Sequence, residues 1–216
     1  MPQDVLAANL KKTEDEISAF PKSEKYIFKG TIPGPIDKVN RPVPDGTVPS
    51  LFTFHMDTIQ PIESEAGRVR IIDSNNFPAS KTISVAIVEI EPGGMRELHW
   101  HPKAAEWQYY LQGSARMTVF DSGGVTRTFD YHAGDVGIVP LVAGHYIQNI
   151  GDEKVIFLEI FKNPRYSEIS FNKWLASNPS LIVAEHLNVS PEFVESFPLN
   201  TKPSPVVWYD QSKVRK

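Results

Sequence analysis

His99 and His101 stand two apart in Met95-Arg96-Glu97-Leu98-His99-Trp100-His101, and Glu106 follows five residues after the second. On an extended strand that spacing places both imidazoles on one face of a sheet. Glu106 can return from the next turn to share the face, and His145, in Gly144-His145-Tyr146, can join from a distant strand. Three imidazoles and one carboxylate, with no sulfur, suit Mn(II), Fe(II) or zinc. Four protein ligands would close a tetrahedral zinc site. In an octahedral manganese or iron site they would leave two positions open, enough for a substrate and dioxygen together. The plainer reading is two surface histidines, an unrelated glutamate and a core histidine. Glycines bracketing both stretches (Gly93, Gly113, Gly134) favour the metal. Trp100, between the ligands, must face the opposite side of the strand, toward a subunit interface or beneath another strand.

A second candidate is Glu159. In the run 154–161, Val155, Phe157, Glu159 and Phe161 share one face. A lone carboxylate there is costly unless protonated or paired, and burial raises its pKa, as a general acid requires. A structural salt bridge is the alternative. Glu168 is a rival that reads as a surface glutamate in a loop. His55, His132 and His186 have no partner pattern and are taken as surface or packing residues.

The elements that must position these groups are short. Apolar runs separated by Gly, Pro, Asn and Asp put strands at 51–55, 68–72, 83–90, 95–101, 107–111, 115–121, 125–130, 136–139, 145–150 and 154–161. That spacing indicates an antiparallel sandwich or barrel over 51–163. Before it, residues 1–50 read as an arm. Its parts are a helix through Val5–Leu10, a second over 14–19 opened by the Thr13–Glu16 capping box, a strand at 26–29, and an extended Pro/Gly-rich connection to Pro49. After the barrel, residues 164–216 read as helices at 169–176, from Asn178-Pro179 to Leu187, and from Ser190-Pro191 to Phe197, then an extended tail with Pro203 and Pro205.

A net charge of −4 with no dominant charge run speaks against a nucleic-acid partner, and the basic end Lys213–Lys216 reads as a solvated tail. With no cysteine, thiolate metal sites, disulfides and cysteine nucleophiles are excluded. No apolar run approaches a membrane span, and the N-terminus lacks a signal-peptide pattern. The chain is therefore expected to be soluble and cytoplasmic, with secretion left open if it is a fragment.

These residues also carry a resemblance. Gly93-(five)-His99-x-His101-(four)-Glu106-(six)-Gly113 matches the first cupin motif. Gly134-(five)-Pro140…His145-(three)-Asn149 matches the second, except that Val142 stands where a glycine is usual. The implied fold is all-β, a double-stranded β-helix or jelly-roll-like barrel, here with an N-terminal arm and short C-terminal helices. The longer string from Met95 to Pro102, with Glu106-Trp107-Gln108-Tyr109-Tyr110, Phe157–Lys162 and Trp174-Leu175-Ala176, resembles the oxalate decarboxylases, manganese bicupins, in their C-terminal half. The resemblance implies Mn(II) on His99, His101, Glu106 and His145, with Fe(II) as alternative and dioxygen as co-catalyst. It implies that Arg96 orients oxalate, which requires a bend after Gly93-Gly94. It implies proton transfer by Glu159, and Tyr166 supporting Arg96 or Glu159 by hydrogen bond. Ser167-Glu168 stands near the place of a family Ser-Glu lid whose remaining pattern is absent.

The expected activity is cleavage of oxalate to formate and carbon dioxide. Two alternatives stay open: an oxalate oxidase releasing peroxide, and a weakly active half-enzyme that serves as an assembly subunit. A homo-oligomer is expected, possibly with a second cupin half.

Overall fold

The computed structural model describes residues 1–39, 46–49, 51–197, 205–210 and 212. Two compact units divide the chain, Met1–Val48 and Pro49–Lys216. In the first, α1 (Gln3–Leu10) ends at Lys11 in the left-handed conformation. Thr13 and Glu16 exchange capping-box bonds, the Thr13 N–H to Glu16 Oε2 at 2.8 Å and the Glu16 N–H to Thr13 Oγ1 at 3.3 Å. The expected helix at 14–19 nevertheless resolves into turns, since so short a segment closes too few hydrogen bonds to offset its nucleation cost. The expected strand at 26–29 is not formed, and Tyr26, Ile27 and Phe28 are exposed. A single turn of helix, α2 (Ile36–Val39), interrupts the extended connection. Pro42, Pro44, Pro203 and the basic end Lys213–Lys216 lie outside the described residues.

The second unit holds the antiparallel β-barrel that the strand spacing predicts, together with the short helices that follow it. Its strands are β1 (Ile62–Ser64), β2 (Gly67–Ile72), β3 (Ser84–Ile90), β4 (Gly94–Trp100), β5 (Glu106–Gln112), β6 (Ser114–Asp121), β7 (Val125–His132), β8 (Val136–Val139), β9 (Gly144–Asn149) and β10 (Val155–Phe161). After these come β11 (Ile169–Ser170), α3 (Phe171–Ala176), α4 (Ser180–Leu187), α5 (Pro191–Glu195) and β12 (Val206–Trp208). One sheet runs β1-β2-β3-β10-β5-β8 and the other β11-β4-β9-β6-β7, with β12 also paired to β4. Val88, Ile90, Tyr110 and Phe157 of the first sheet join Met117 and Ile147 of the second in one buried core. Alternation along β10 is strict: Val155, Phe157, Glu159 and Phe161 face inward. Among the described residues no helix is long and apolar enough to cross a membrane.

Several elements differ from expectation. Residues 51–55 form no strand, while the short β1, β11 and β12 carry too few residues to show a period. The helix expected from Ile169 begins at Phe171, because Ile169 and Ser170 pair with Trp100 and His99 before the Ser170 side chain caps α3. The helix expected to reach Phe197 ends at Glu195.

The bend that serves the site lies within β4. Arg96 pairs with Ile147 and His99 with His145, so three steps along β4 match two along β9. The extra residue is a β-bulge, which turns Arg96 and His99 to the same side although they are an odd number apart. The expected bend after Gly93-Gly94 is thus displaced into the strand.

Val142 occupies the turn between β8 and β9. Its φ is +60°, a left-handed conformation that a β-branched side chain adopts only under strain. Gly144, two residues on, has no positive φ and does not take over that role. The Val142 side chain is 58% exposed, so it recovers little from burial. Val142→Gly should therefore stabilise the fold by up to about 1 kcal/mol, the relief of left-handed strain exceeding the entropy that glycine adds to the unfolded chain. The measurement is the urea midpoint at constant m-value; a lower midpoint would show that the valine packs usefully.

Candidate metal centre

Four segments converge inside the barrel. β4 carries His99, the bend after it His101, the first residue of β5 is Glu106, and β9 carries His145. His99 and His145 are direct cross-strand partners, which sets their ring centroids 4.1 Å apart. One ligand-type atom from each of the four residues lies within 4.8 Å of the others, and all four residues are buried.

The rings are oriented from behind. Nδ1 of His99 lies 2.7 Å from the Glu97 carbonyl, that of His101 2.9 Å from the Ser167 carbonyl, and that of His145 3.2 Å from the Ala143 carbonyl. A carbonyl can only accept, so each Nδ1 carries the proton and each Nε2 presents a lone pair. These Nε2 atoms and Glu106 Oε2 have no well-formed hydrogen-bond partner among the described residues. Glu106 Oε2 nevertheless lies 3.0 Å from His101 Nε2 and 2.9 Å from His145 Nε2. Buried donor atoms that converge without partners are what a divalent cation satisfies, and a set of three nitrogens and one oxygen fits Mn(II) or Fe(II).

The electrostatics set the ligands apart. Burial, then the Arg96 charge and the neighbouring imidazoles, push His99 well below the usual histidine range. Burial opposes ionisation of Glu106, but His145 and His101 outweigh it and hold the carboxyl well down. For His101, burial is overcome by Glu106, which raises it.

Beside the ligands lies a second cluster. Arg96 is completely buried, and Nε donates to Glu159 Oε1 at 3.3 Å, Nη1 to the Pro205 carbonyl at 3.2 Å and Nη2 to Tyr166 Oη at 2.9 Å. Nη2 also pairs with Glu168. Tyr166 Oη is 2.7 Å from Glu168 Oε2 and 3.3 Å from Glu159 Oε2, so it contacts both carboxyls as well as the arginine. Glu168 is therefore part of this cluster and not the loop-surface residue expected, because the segment carrying it is tied down. The Ser74 N–H donates to the Pro164 carbonyl, the Tyr166 N–H to Asp73, and Ser167 receives His101.

The two carboxyls are pushed in opposite directions. Burial, then the charge of Glu106, raises Glu159, and this outweighs the adjacent Arg96. Burial would raise Glu168 as well, but Arg96 and the Tyr166 hydroxyl overcome it and hold it low. These environments hold Glu159 toward its protonated form and Glu168 toward its anion. Burial, followed by Glu159, holds Tyr166 well above the usual phenol range, so its hydroxyl keeps its proton.

Trp100 faces away from the ligands and packs edge-on against Trp174 of α3, so a helix and not a strand lies against it. His55, His132 and His186 are exposed. Three features were not foreseen in the sequence. Gln108 and Tyr110 are buried behind Glu106, and their period-two spacing from that ligand is the signal that marks them in the sequence. The Pro205 carbonyl on Arg96 left no such signal, since it arrives from a segment remote in sequence.

Comparison with known proteins places this geometry. A family described as Cupin matches residues 54–195. Oxalate decarboxylase OxdC of Bacillus subtilis (strain 168) is 52% identical over 206 residues, 95% of this chain and 53% of that protein. A structure of Bacillus subtilis oxalate decarboxylase, solved in work on its Mn(II) centres, superposes with a TM-score of 0.89 at 50% identity, covering 96% of this chain and 55% of that one. The formate complex of Lactobacillus farciminis oxalate decarboxylase gives 0.86 at 61% identity, covering 92% and 59%. The chain thus spans about half the length of these relatives. Its strand order, its converging histidines and the match over most of its length make this chain a member of the cupin family.

Proposed function

We propose that this barrel decarboxylates oxalate, the activity its relatives are named for, with formate and carbon dioxide as the products. The observation that carries the reading is the contact between the two clusters: a fully buried guanidinium and a carboxyl held toward its protonated form stand next to four metal-type ligands. Mn(II), or alternatively Fe(II), held by His99, His101, Glu106 and His145 would supply an anchor for one oxalate carboxylate and, with dioxygen as co-catalyst, one-electron chemistry.

The remaining roles belong to the chain itself. Arg96 orients the substrate, because a planar guanidinium matches a carboxylate with two parallel hydrogen bonds. It is now engaged by Glu168 and Tyr166, so the substrate takes up bonds those residues hold. Glu159 is the proposed acid. As carbon dioxide leaves and the C–C bond breaks, its proton goes to the carbon that becomes formate, and the proton of the hydrogenoxalate ion restores it. One hydrogenoxalate gives one formate and one carbon dioxide, with no net proton change. Tyr166 holds the Glu159 and Arg96 side chains in place through its hydroxyl. The dry barrel limits side reactions with water.

Assembly into homo-oligomers, and pairing with a second cupin half, are part of the same proposal. Trp107 and Tyr109 of β5, opposite Ile138 and Val136 of β8, expose an apolar row on the outer face of the first sheet.

Manganese-loaded protein mixed with oxalate at mildly acidic pH should release formate without peroxide. Glu159→Gln should cut formate output about 100-fold or more and divert turnover toward peroxide. A raised Glu159 pKa keeps the acid protonated in mild acid, so activity should decline as pH rises through that value. Unchanged formate from the variant would remove Glu159 from the mechanism. Peroxide from the wild type would indicate an oxidase; neither product, with metal bound, would indicate a half-enzyme. Light scattering should report a dimer or larger species, and a monomer at micromolar concentration would contradict the assembly.

A further inference from the structure

Behind Glu106 runs a short buried chain of hydrogen bonds. The Gln108 side-chain amide donates from Nε2 to Glu106 Oε1 at 2.7 Å, and its Oε1 accepts from the Tyr110 hydroxyl at 2.8 Å. All three residues point inward from alternate positions of β5 and are no more than 1% exposed. The far end is rigid. The Tyr110 ring stacks on Tyr131 at 4.6 Å, with 12° between planes, and on Phe157 at 5.2 Å. Space for the amide is reserved by Gly137, the cross-strand neighbour of Gln108, since a Cβ there would come within 2.8 Å of Gln108 Oε1.

We infer that Gln108 and Tyr110 are positioning residues that determine which carboxylate oxygen Glu106 offers to the imidazoles. A phenol hydroxyl donating to the amide oxygen fixes the amide the other way round at its nitrogen, so the Gln108 NH₂ must point at Glu106. Its bond occupies Oε1. Oε2 alone is then left near the Nε2 atoms of His101 and His145. A carboxylate freed of this bond turns about its own axis and no longer holds Oε2 toward the imidazoles, which loosens the ligand set. The amide thus keeps Glu106 a one-oxygen ligand, and the tyrosine keeps the amide from flipping.

The assignment rests on the reading that the cluster holds a divalent metal, and one experiment separates the two. Mn(II) is titrated into the wild type, Gln108→Met and Tyr110→Phe, with free Mn(II) counted by the electron paramagnetic resonance signal of the hydrated ion. The zero-field splitting of the bound ion is recorded alongside, and circular dichroism with a urea midpoint certifies each fold. Gln108→Met should weaken binding about 10- to 100-fold and change the splitting, the usual size of effect for a group that orients a ligand. Tyr110→Phe, which removes one oxygen and little packing, should weaken it about two- to tenfold. A purely structural role would lower the urea midpoint and leave the splitting of the bound ion untouched. Wild-type affinity and splitting in a folded Gln108→Met, or in Tyr110→Phe should the first not fold, would overturn the assignment while the metal reading stands. A wild type that binds no Mn(II) would overturn the metal reading and the assignment with it.

Discussion

Everything in this barrel is arranged around the cost of keeping charged and polar groups dry. Arg96, Glu106, Glu159 and the imidazoles of His99, His101 and His145 are at most 3% exposed. An unpartnered ion in such a place is disfavoured by several kcal/mol, so each must be answered by a neighbour of opposite charge, a hydrogen bond or a bound cation. For Arg96 the answer comes entirely from the protein: two carboxyls, a phenol and a carbonyl drawn from three separate segments. For the four-ligand cluster the answer is incomplete, since the Nδ1 protons are satisfied while the inward-facing lone pairs are not. That asymmetry is what points to a metal.

The two sheets exist to hold this arrangement. Strand pairing puts His145 opposite His99, a bulge in β4 swings Arg96 to their side, and β10 brings Glu159 between strands from the core face. The remaining partners come from outside the central strands. The Asp73–Ser74 turn ties down the segment that delivers Tyr166, Ser167 and Glu168, and β12 lays the Pro205 carbonyl against the arginine. Placement this precise depends on rigid elements backed by a supporting shell, and here that shell reaches β12.

Much of this was legible from residue types and period. The two-residue spacing of His99 and His101 and the alternation of 154–161 each reflect a strand with one dry face, and the structure bears out both placements. What failed to show were features that depend on contacts distant in sequence. The bulge between Arg96 and His99 is a matter of register with β9, which no local pattern records. Glu168 reads as a loop residue because the anchors of its loop, Asp73 and His101, lie far away along the chain. The Thr13–Glu16 bonds formed as the capping signal promised, but the segment was too short to continue as a helix. Val142 is the reverse case: its departure from the usual glycine was visible, and the structure gives it physical meaning as a strained turn beside a ligand strand.

The central claim is that a cation on the histidine–glutamate cluster and the guanidinium of Arg96 grip the same small dicarboxylate. Pulsed electron paramagnetic resonance of the Mn(II)-loaded protein with ¹³C-labelled oxalate addresses it directly. The account predicts modulation from imidazole nitrogens together with a ¹³C coupling from the bound oxalate, the ¹³C signal weakening in Arg96→Ala while the nitrogen signal persists. Imidazole nitrogens without any ¹³C coupling, or a coupling indifferent to Arg96, would contradict it.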